Sequence, residues 1–222
     1  LSWSWRKKLA LDIIGEKIRS ALSAKHAARE RALQLSREAT RHSSNAIRAV
    51  HRGEQEPAEA LLASARALLD DVEETLCAHE DVYHAGFVHD AQKEYVEGRV
   101  TLSLVAGHPI PDPDDLGVSY AAYLNGIGEA VGELRRYLLD AIRRGEEQRC
   151  EELLSAMDDI YSLLVTLDFP DALTGGLRRT TDNVRGILER TRGDLTMSIR
   201  QRELERKLSA LAKEGPGPPQ SL

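Results

Sequence analysis

Apolar residues recur along this chain at intervals of three and four, the spacing of one face of an α-helix. Leu9, Ile13, Ile14, Ile18, Ala21 and Leu22 form one stripe, and Leu33, Ala39, Ala46, Ile47 and Val50 a second. A third runs from Leu61 through Leu62, Ala65, Leu68, Leu69 and Val72 to Leu76, and a fourth joins Phe87, Ala91, Tyr95, Leu102 and Val105. Tyr120, Tyr123, Leu124, Ile127, Val131, Leu134, Leu138 and Ile142 make a fifth; Leu153, Leu154, Met157, Ile160, Leu163 and Leu164 a sixth. The seventh is long, from Leu177 through Val184, Leu188, Leu195, Ile199, Leu204 and Leu208 to Leu211. No segment alternates with period two for long enough to demand a strand. The pattern predicts an all-α fold, a single bundle of seven helices.

The interruptions have chemical causes. "GHPIPDPDD" at 107–115 contains three prolines, which cannot continue a helix, and aspartates that can cap the next one. "RRGEEQ" at 143–148 places Gly145 at a helix end, and "DFPDALTGG" at 168–176 is a Pro/Gly connector. These breaks are short, so the expectation is one domain over residues 1–214. "GPGPPQSL" at 215–222 is too polar and proline-rich to pack and is expected to be a disordered tail.

Composition narrows the class. The 222 residues are 41% hydrophobic and 30% charged, enough for a soluble core, and only 5% aromatic. No apolar run approaches the ~20 residues of a membrane span. The opening segment is basic and amphipathic, without the apolar block of a signal peptide. Cys77 and Cys150 lie far apart with no metal-ligand spacing, which predicts a reduced, cytoplasmic protein with two buried thiols. The net charge of −6 is unevenly spread. Residues 1–52 carry 12 Lys+Arg against 4 Asp+Glu, 53–174 carry 8 against 26, and 175–222 carry 10 against 6. Basic ends able to follow phosphates therefore flank an acidic middle that repels them unless cations occupy it.

The acidic middle holds a candidate site. In "HDAQKEYVEGRV" (89–100) a helix places Asp90, Glu94 and Glu97 on one stripe, a spacing at which like charges repel. In "NGIGEAVGELRR" (125–136) Glu129 and Glu133 share a face, with Gly126, Gly128 and Gly132 around them to admit a second helix closely. Two such helices can converge four carboxylates, which are stable together only with protons or cations among them. Carboxylate oxygens suit hard divalent ions such as Mg2+ or Mn2+, which can activate water for phosphodiester hydrolysis. The bland alternative is a solvated acidic face paired with Arg99, Arg135 and Arg136. A di-iron carboxylate bundle requires Glu-x-x-His on two helices; the chain offers one Asp-x-x-His, Asp81 to His84. Nucleotide-binding glycine loops and G-x-S-x-G are absent. His79, His84 and His89 stand five apart and do not share a helical face. Trp3 and Trp5 are expected to anchor the first helix rather than to stack on bases.

"RERALQLSREATRHSSNAIRAVHR" (29–52), "QKEYVEGRV" (92–100), "YLNGIGEAVGELRR" (123–136) and "LRRTTDNVRGILERTRGDLTMSIRQ" (177–201) resemble the translin superfamily, and more closely its translin-associated factor X branch. The resemblance spans about residues 29 to 201 and points to an archaeal member. It implies a seven-helix all-α fold, a hollow octamer of identical subunits enclosing single-stranded RNA or DNA, and, in the factor X branch, a Mg2+-dependent endoribonuclease. The family's catalytic acids fall on Glu94, Glu97, Glu129 and Glu133, which would hold Mg2+ or Mn2+. The family usually has Asp where this chain has Glu129, so that carboxylate stands one methylene further out. Asp90 has no counterpart among the family's acids.

Two further functions compete with the nuclease. The translin branch is a non-catalytic binder of single-stranded nucleic acid, in which the acids would pair with arginines; a helical adaptor would bind no nucleic acid at all. On the nuclease reading Lys93, Arg99, Arg135 and Arg136 are candidate phosphate contacts because they flank the acids, and a closed chamber would exclude stable duplex by geometry.

Overall fold

The computed structural model describes the backbone of residues 3–214 and the side chains of residues 10–212. The tail at 215–222 and the anchoring by Trp3 and Trp5 lie outside what is described. Among the described residues there are nine helices and no strand: α1 (Trp3–His51), α2 (Gln55–Leu76), α3 (Glu80–Tyr83), α4 (Gly86–Val105), α5 (Pro113–Leu116), α6 (Tyr120–Arg144), α7 (Glu147–Val165), α8 (Asp171–Thr174) and α9 (Leu177–Glu214).

The all-α expectation holds; the count of seven does not. The first two apolar stripes lie on one helix of 49 residues, α1. Between them "SAKHAARERA" contains no proline or glycine and is rich in alanine and arginine, strong helix formers, so nothing stops the helix. The connectors at 107–119 and 166–176 each hold a single turn, α5 and α8, and α3 is another such turn. Asp112 caps α5 as its type predicts, accepting from the Asp114 amide at 2.9 Å. Gly145 ends α6 in the left-handed conformation at φ 84°.

α1 turns tightly back into α2 at residues 52–54, and the pair packs on α4. α6 lies against α4 on one side and α7 and α9 on the other. The larger buried cluster runs through Ala39, Val50, Leu62, Tyr95, Val131, Leu134, Leu138, Met157, Ile160 and Leu188. A smaller one joins Ala32, Leu35, Val72, Leu76, Val82 and Val88. The core thus takes the second half of α1 and leaves the first half outside: Leu11, Ile13, Ile14, Ile18 and Leu22 are exposed, as are Met197, Leu204, Leu208 and Leu211 on α9. Among the described residues no helix is long and apolar enough to cross a membrane. Both cysteines are free; Cys150 is buried, but Cys77, expected inside, is exposed because it lies just past the last buried position of α2, Leu76.

Candidate functional site

Helices α4 and α6 approach as closely as backbones allow. A Cβ on Gly126 would stand 2.7 Å from the Lys93 carbonyl oxygen and 2.7 Å from Val96 Cβ. Gly128 admits α9 in the same way, at Thr180. Gly132, expected to serve likewise, faces open space. The three helices enclose a cavity of about 390 Å3. Glu94 and Glu97 of α4 and Glu129 of α6 line it, with Thr180, Asn183 and Ile187 of α9. Glu133, one turn beyond Glu129, does not line it but is close enough to act electrostatically on Glu97.

The four carboxylates have unequal partners. Glu129 accepts from Lys93 Nζ at 2.9 Å, and Glu133 accepts from His51 Nε2 at 2.5 Å, with Arg136 Nη1 3.7 Å away. Glu94 has only the Ser44 hydroxyl, which donates to Oε2 at 3.1 Å. Among the described residues Glu97 has no side-chain hydrogen bond. These differences set the proton affinities. The His51 hydrogen bond holds Glu133 below the usual carboxylate range. Burial, reinforced by Glu129 and Asp90 and opposed by Ser44, pushes Glu94 up. Burial, and then the charges of Glu94, Glu129 and Glu133, push Glu97 up to about 8. Lys93 is raised despite its burial, because Glu129, Asp90 and Glu94 surround it with negative charge.

The donor set is all carboxylate oxygen, which fits a hard divalent cation, and the crowding around Glu97 is what such an ion would relieve. As they stand, no group of three or more His, Cys, Asp or Glu side chains among the described residues is arranged to hold a metal ion. Lys93 and His51 take two of the four acids instead.

The other sequence candidates scatter. Arg99 turns to α2 and meets Glu59 at 2.5 Å. Arg135 turns to α9, donating to Thr191 at 3.0 Å and Asp194 at 2.7 Å. Arg136 stays on the acid face, largely exposed. Asp90 lines an adjoining, separate cavity. His51 and Ser44, from α1, and Thr180 and Asn183, from α9, complete the site. Nothing in their local sequence marked them; only the fold brings them to the acids.

No family model matches the chain. Its fold and sequence are similar to the translin-family protein AfC3PO, in the structure of an AfC3PO–duplex RNA complex: 37% identity, TM-score 0.79, covering 84% of this chain and 97% of that one. This chain belongs to the translin superfamily. A crystal structure of AfC3PO gives the same match, with 36% identity and TM-score 0.79 over 84% and 97% of the two chains. Apo-NeC3PO shares the translin fold at 22% identity and TM-score 0.69, over 85% and 96% of the two chains. An uncharacterized protein of Methanocaldococcus jannaschii is 28% identical over 192 residues, 84% of this translin-family chain and 83% of its own.

Proposed function

We propose that this translin-family protein is a metal-dependent endoribonuclease of the factor X type, acting in the cytoplasm as one domain within a hollow homo-octamer. The observation that carries the proposal is Glu97. It is a partly buried carboxylate with no donor among the described residues, placed among Glu94, Glu129 and Glu133, and it is costly to ionise unless a cation joins it. A structural ion-pair network would have given it a base, as it gave Glu129 and Glu133.

Glu94, Glu97, Glu129 and Glu133 are the ligands proposed for Mg2+ or Mn2+. Bound there, the ion would supply Lewis-acid polarisation of the phosphate and a readily deprotonated water. Glu129 has to exchange Lys93 for the ion, which frees Lys93 to face an incoming phosphate. His51 hydrogen-bonds Glu133 and favours its ionised carboxylate. Thr180 and Asn183 form the opposite wall. Arg99 and Arg135 are spent on neighbouring helices, so Lys93 and Arg136 are the phosphate contacts retained from the four candidates. The apolar stripes left exposed on α1 and α9 are the surfaces proposed for assembly, since a lone chain would show both to water. RNA is the proposed substrate because AfC3PO has been seen in complex with duplex RNA. On the same ground duplex RNA is also proposed to bind, while cleavage is assigned to single-stranded RNA.

The test is incubation of labelled single-stranded RNA with Mg2+, with EDTA, and with a Glu94→Ala/Glu97→Ala variant. Metal-dependent cleavage lost in the variant supports the nuclease. The second reading, a non-catalytic RNA-binding scaffold, is favoured by Lys93 and His51 already sitting on two of the acids. It predicts binding without cleavage in every condition. Light scattering tests the assembly: a species of one 24.6 kDa chain contradicts it.

A further inference from the structure

Beside the acid cavity, sharing Glu129, Thr180 and Asn183 with it, lies a larger one of about 680 Å3. Its charged lining sets Lys93 and Arg179 against Asp90 and Glu129, with His84 and His89 beside them. Glu129 is already matched by Lys93 at 2.9 Å.

Arg179 is unlike most of its neighbours on α9. Arg178, Arg185 and Arg192 each donate to a carboxylate, at 2.9, 3.1 and 2.6 Å. Arg179, exposed on the cavity wall, makes no side-chain hydrogen bond or ion pair among the described residues. Asn183 beside it also has no side-chain partner there, and His89 Nε2 is buried without one. The back wall is fixed. Asn125 Nδ2 donates to the Ala121 and Thr174 carbonyls at 2.8 and 2.7 Å, and its Oδ1 accepts from Thr180 at 2.6 Å. His89 Nε2 would lie only 3.1 Å from a Cβ on Gly175, so that glycine keeps the wall open to the ring. The start of α9, just after Gly175 and Gly176, adds partial positive charge to the same wall.

Such a lining has unused donors, and its aromatic rings are the imidazoles of His84 and His89, with no Phe, Tyr or Trp among the lining residues. Its free guanidinium and amide donors match a phosphate with its sugar. We propose that this cavity, adjoining the acids, binds a phosphodiester of the RNA strand, with Arg179 as its main contact and Asn183 and His89 beside it. The proposal rests on the RNA-binding part of the function above and extends it to a second, sequence-independent subsite. Because the contact is to the backbone, it adds affinity equally for every sequence.

The test uses the full chain in EDTA, where no cleavage intervenes. The probe is a 3′-labelled single-stranded RNA with a 5′-hydroxyl end, so that its negative charges are internal phosphodiesters. Arg179→Gln is expected to weaken binding by about three- to ten-fold and to lower the slope of log Kd against log salt by about one, equally on RNAs of different sequence. Arg178→Gln, one residue away but engaged with Asp168 and facing another cavity, is expected to change affinity by less than about two-fold. Thermal melts of both variants should match the parent, since neither side chain is buried. An unchanged salt slope in Arg179→Gln, or equal losses in the two variants, overturns the subsite. The cleavage proposal fails on a separate result, Mg2+-dependent cleavage that survives Glu94→Ala/Glu97→Ala, so the two failures are distinguishable.

Discussion

Helices α4 and α6 each bring a pair of glutamates to the same place, but they treat them differently. The α6 pair is answered from within the protein: Lys93 reaches Glu129, and His51, itself only 7% exposed, reaches Glu133. Among the described residues the α4 pair is left with one serine hydroxyl for Glu94 and no donor for Glu97. The carboxylates without a counterpart, which burial and mutual repulsion make costly to ionise, therefore lie on α4, beside the α9 wall. A surface of solvated acids would show no such division, because water would serve all four alike.

The largest effect that tests this division is on cleavage. Glu94→Gln/Glu97→Gln is expected to slow Mg2+-dependent RNA cleavage by at least about 1,000-fold, roughly 4 kcal/mol of barrier, in single-turnover assays. RNA affinity should hold within about two-fold. An equal loss on changing Glu133 alone would show that the two helices are not divided as described.

Next comes the pH dependence of stability without metal. Glu97 is raised from its ordinary 4.5 to about 8, so between those values the folded state holds a proton that the unfolded state has released. Stability is therefore fully present below about pH 4.5 and falls as pH rises through 8, by roughly 2–4 kcal/mol from this group. Chemical denaturation at pH 5.5 and 8.5 should show the fall. Glu97→Gln should flatten it, and Mn2+ should raise the melting temperature more at pH 8.5 than at pH 5.5.

A smaller loss is expected from His51→Ala. It removes the donor from a half-buried carboxylate and should cost about 1–3 kcal/mol at pH 7 by urea denaturation. The loss should shrink as pH drops below the ordinary carboxylate range, because Glu133, held low in the folded protein, contributes above that range and not beneath it. The smallest effect belongs to Lys93→Met. Its ion pair with Glu129 is partly exposed, so stability should change by less than about 1 kcal/mol. Mn2+ affinity, read by calorimetry, should rise, since no ammonium competes for Glu129.

The same helices show what the sequence could reveal. The helical stretches and the glutamate pairs on α4 and α6 follow from spacing alone, because each helix carries its own periodicity. The flanking arginines do not follow. Adjacent positions on a helix differ by about 100°, so Arg99, two after Glu97, and Arg135, two after Glu133, point to other faces and meet Glu59 and Asp194. Lys93, four before Glu97, and Arg136, three after Glu133, share the acid face, as the i,i+3 and i,i+4 rule requires. Ser44 and His51 lie 50 and 82 residues from the acids they touch, and no local pattern carries that pairing. The two apolar stripes of α1 read as two helices because the stripe on its first half does not share the buried face of the second: Leu11, Ile13, Ile14, Ile18 and Leu22 are exposed.

The contact at Gly126 has one more consequence. With a bare hydrogen of one helix seated against the carbonyl and valine of the next, the two rods cannot be drawn nearer, and any added carbon would lever them apart. The distance across the acidic gap is thereby a fixed gauge. Adjustment of reach falls to the side chains, and the natural increment is a single CH2, the difference between aspartate and the glutamate that this chain carries at 129.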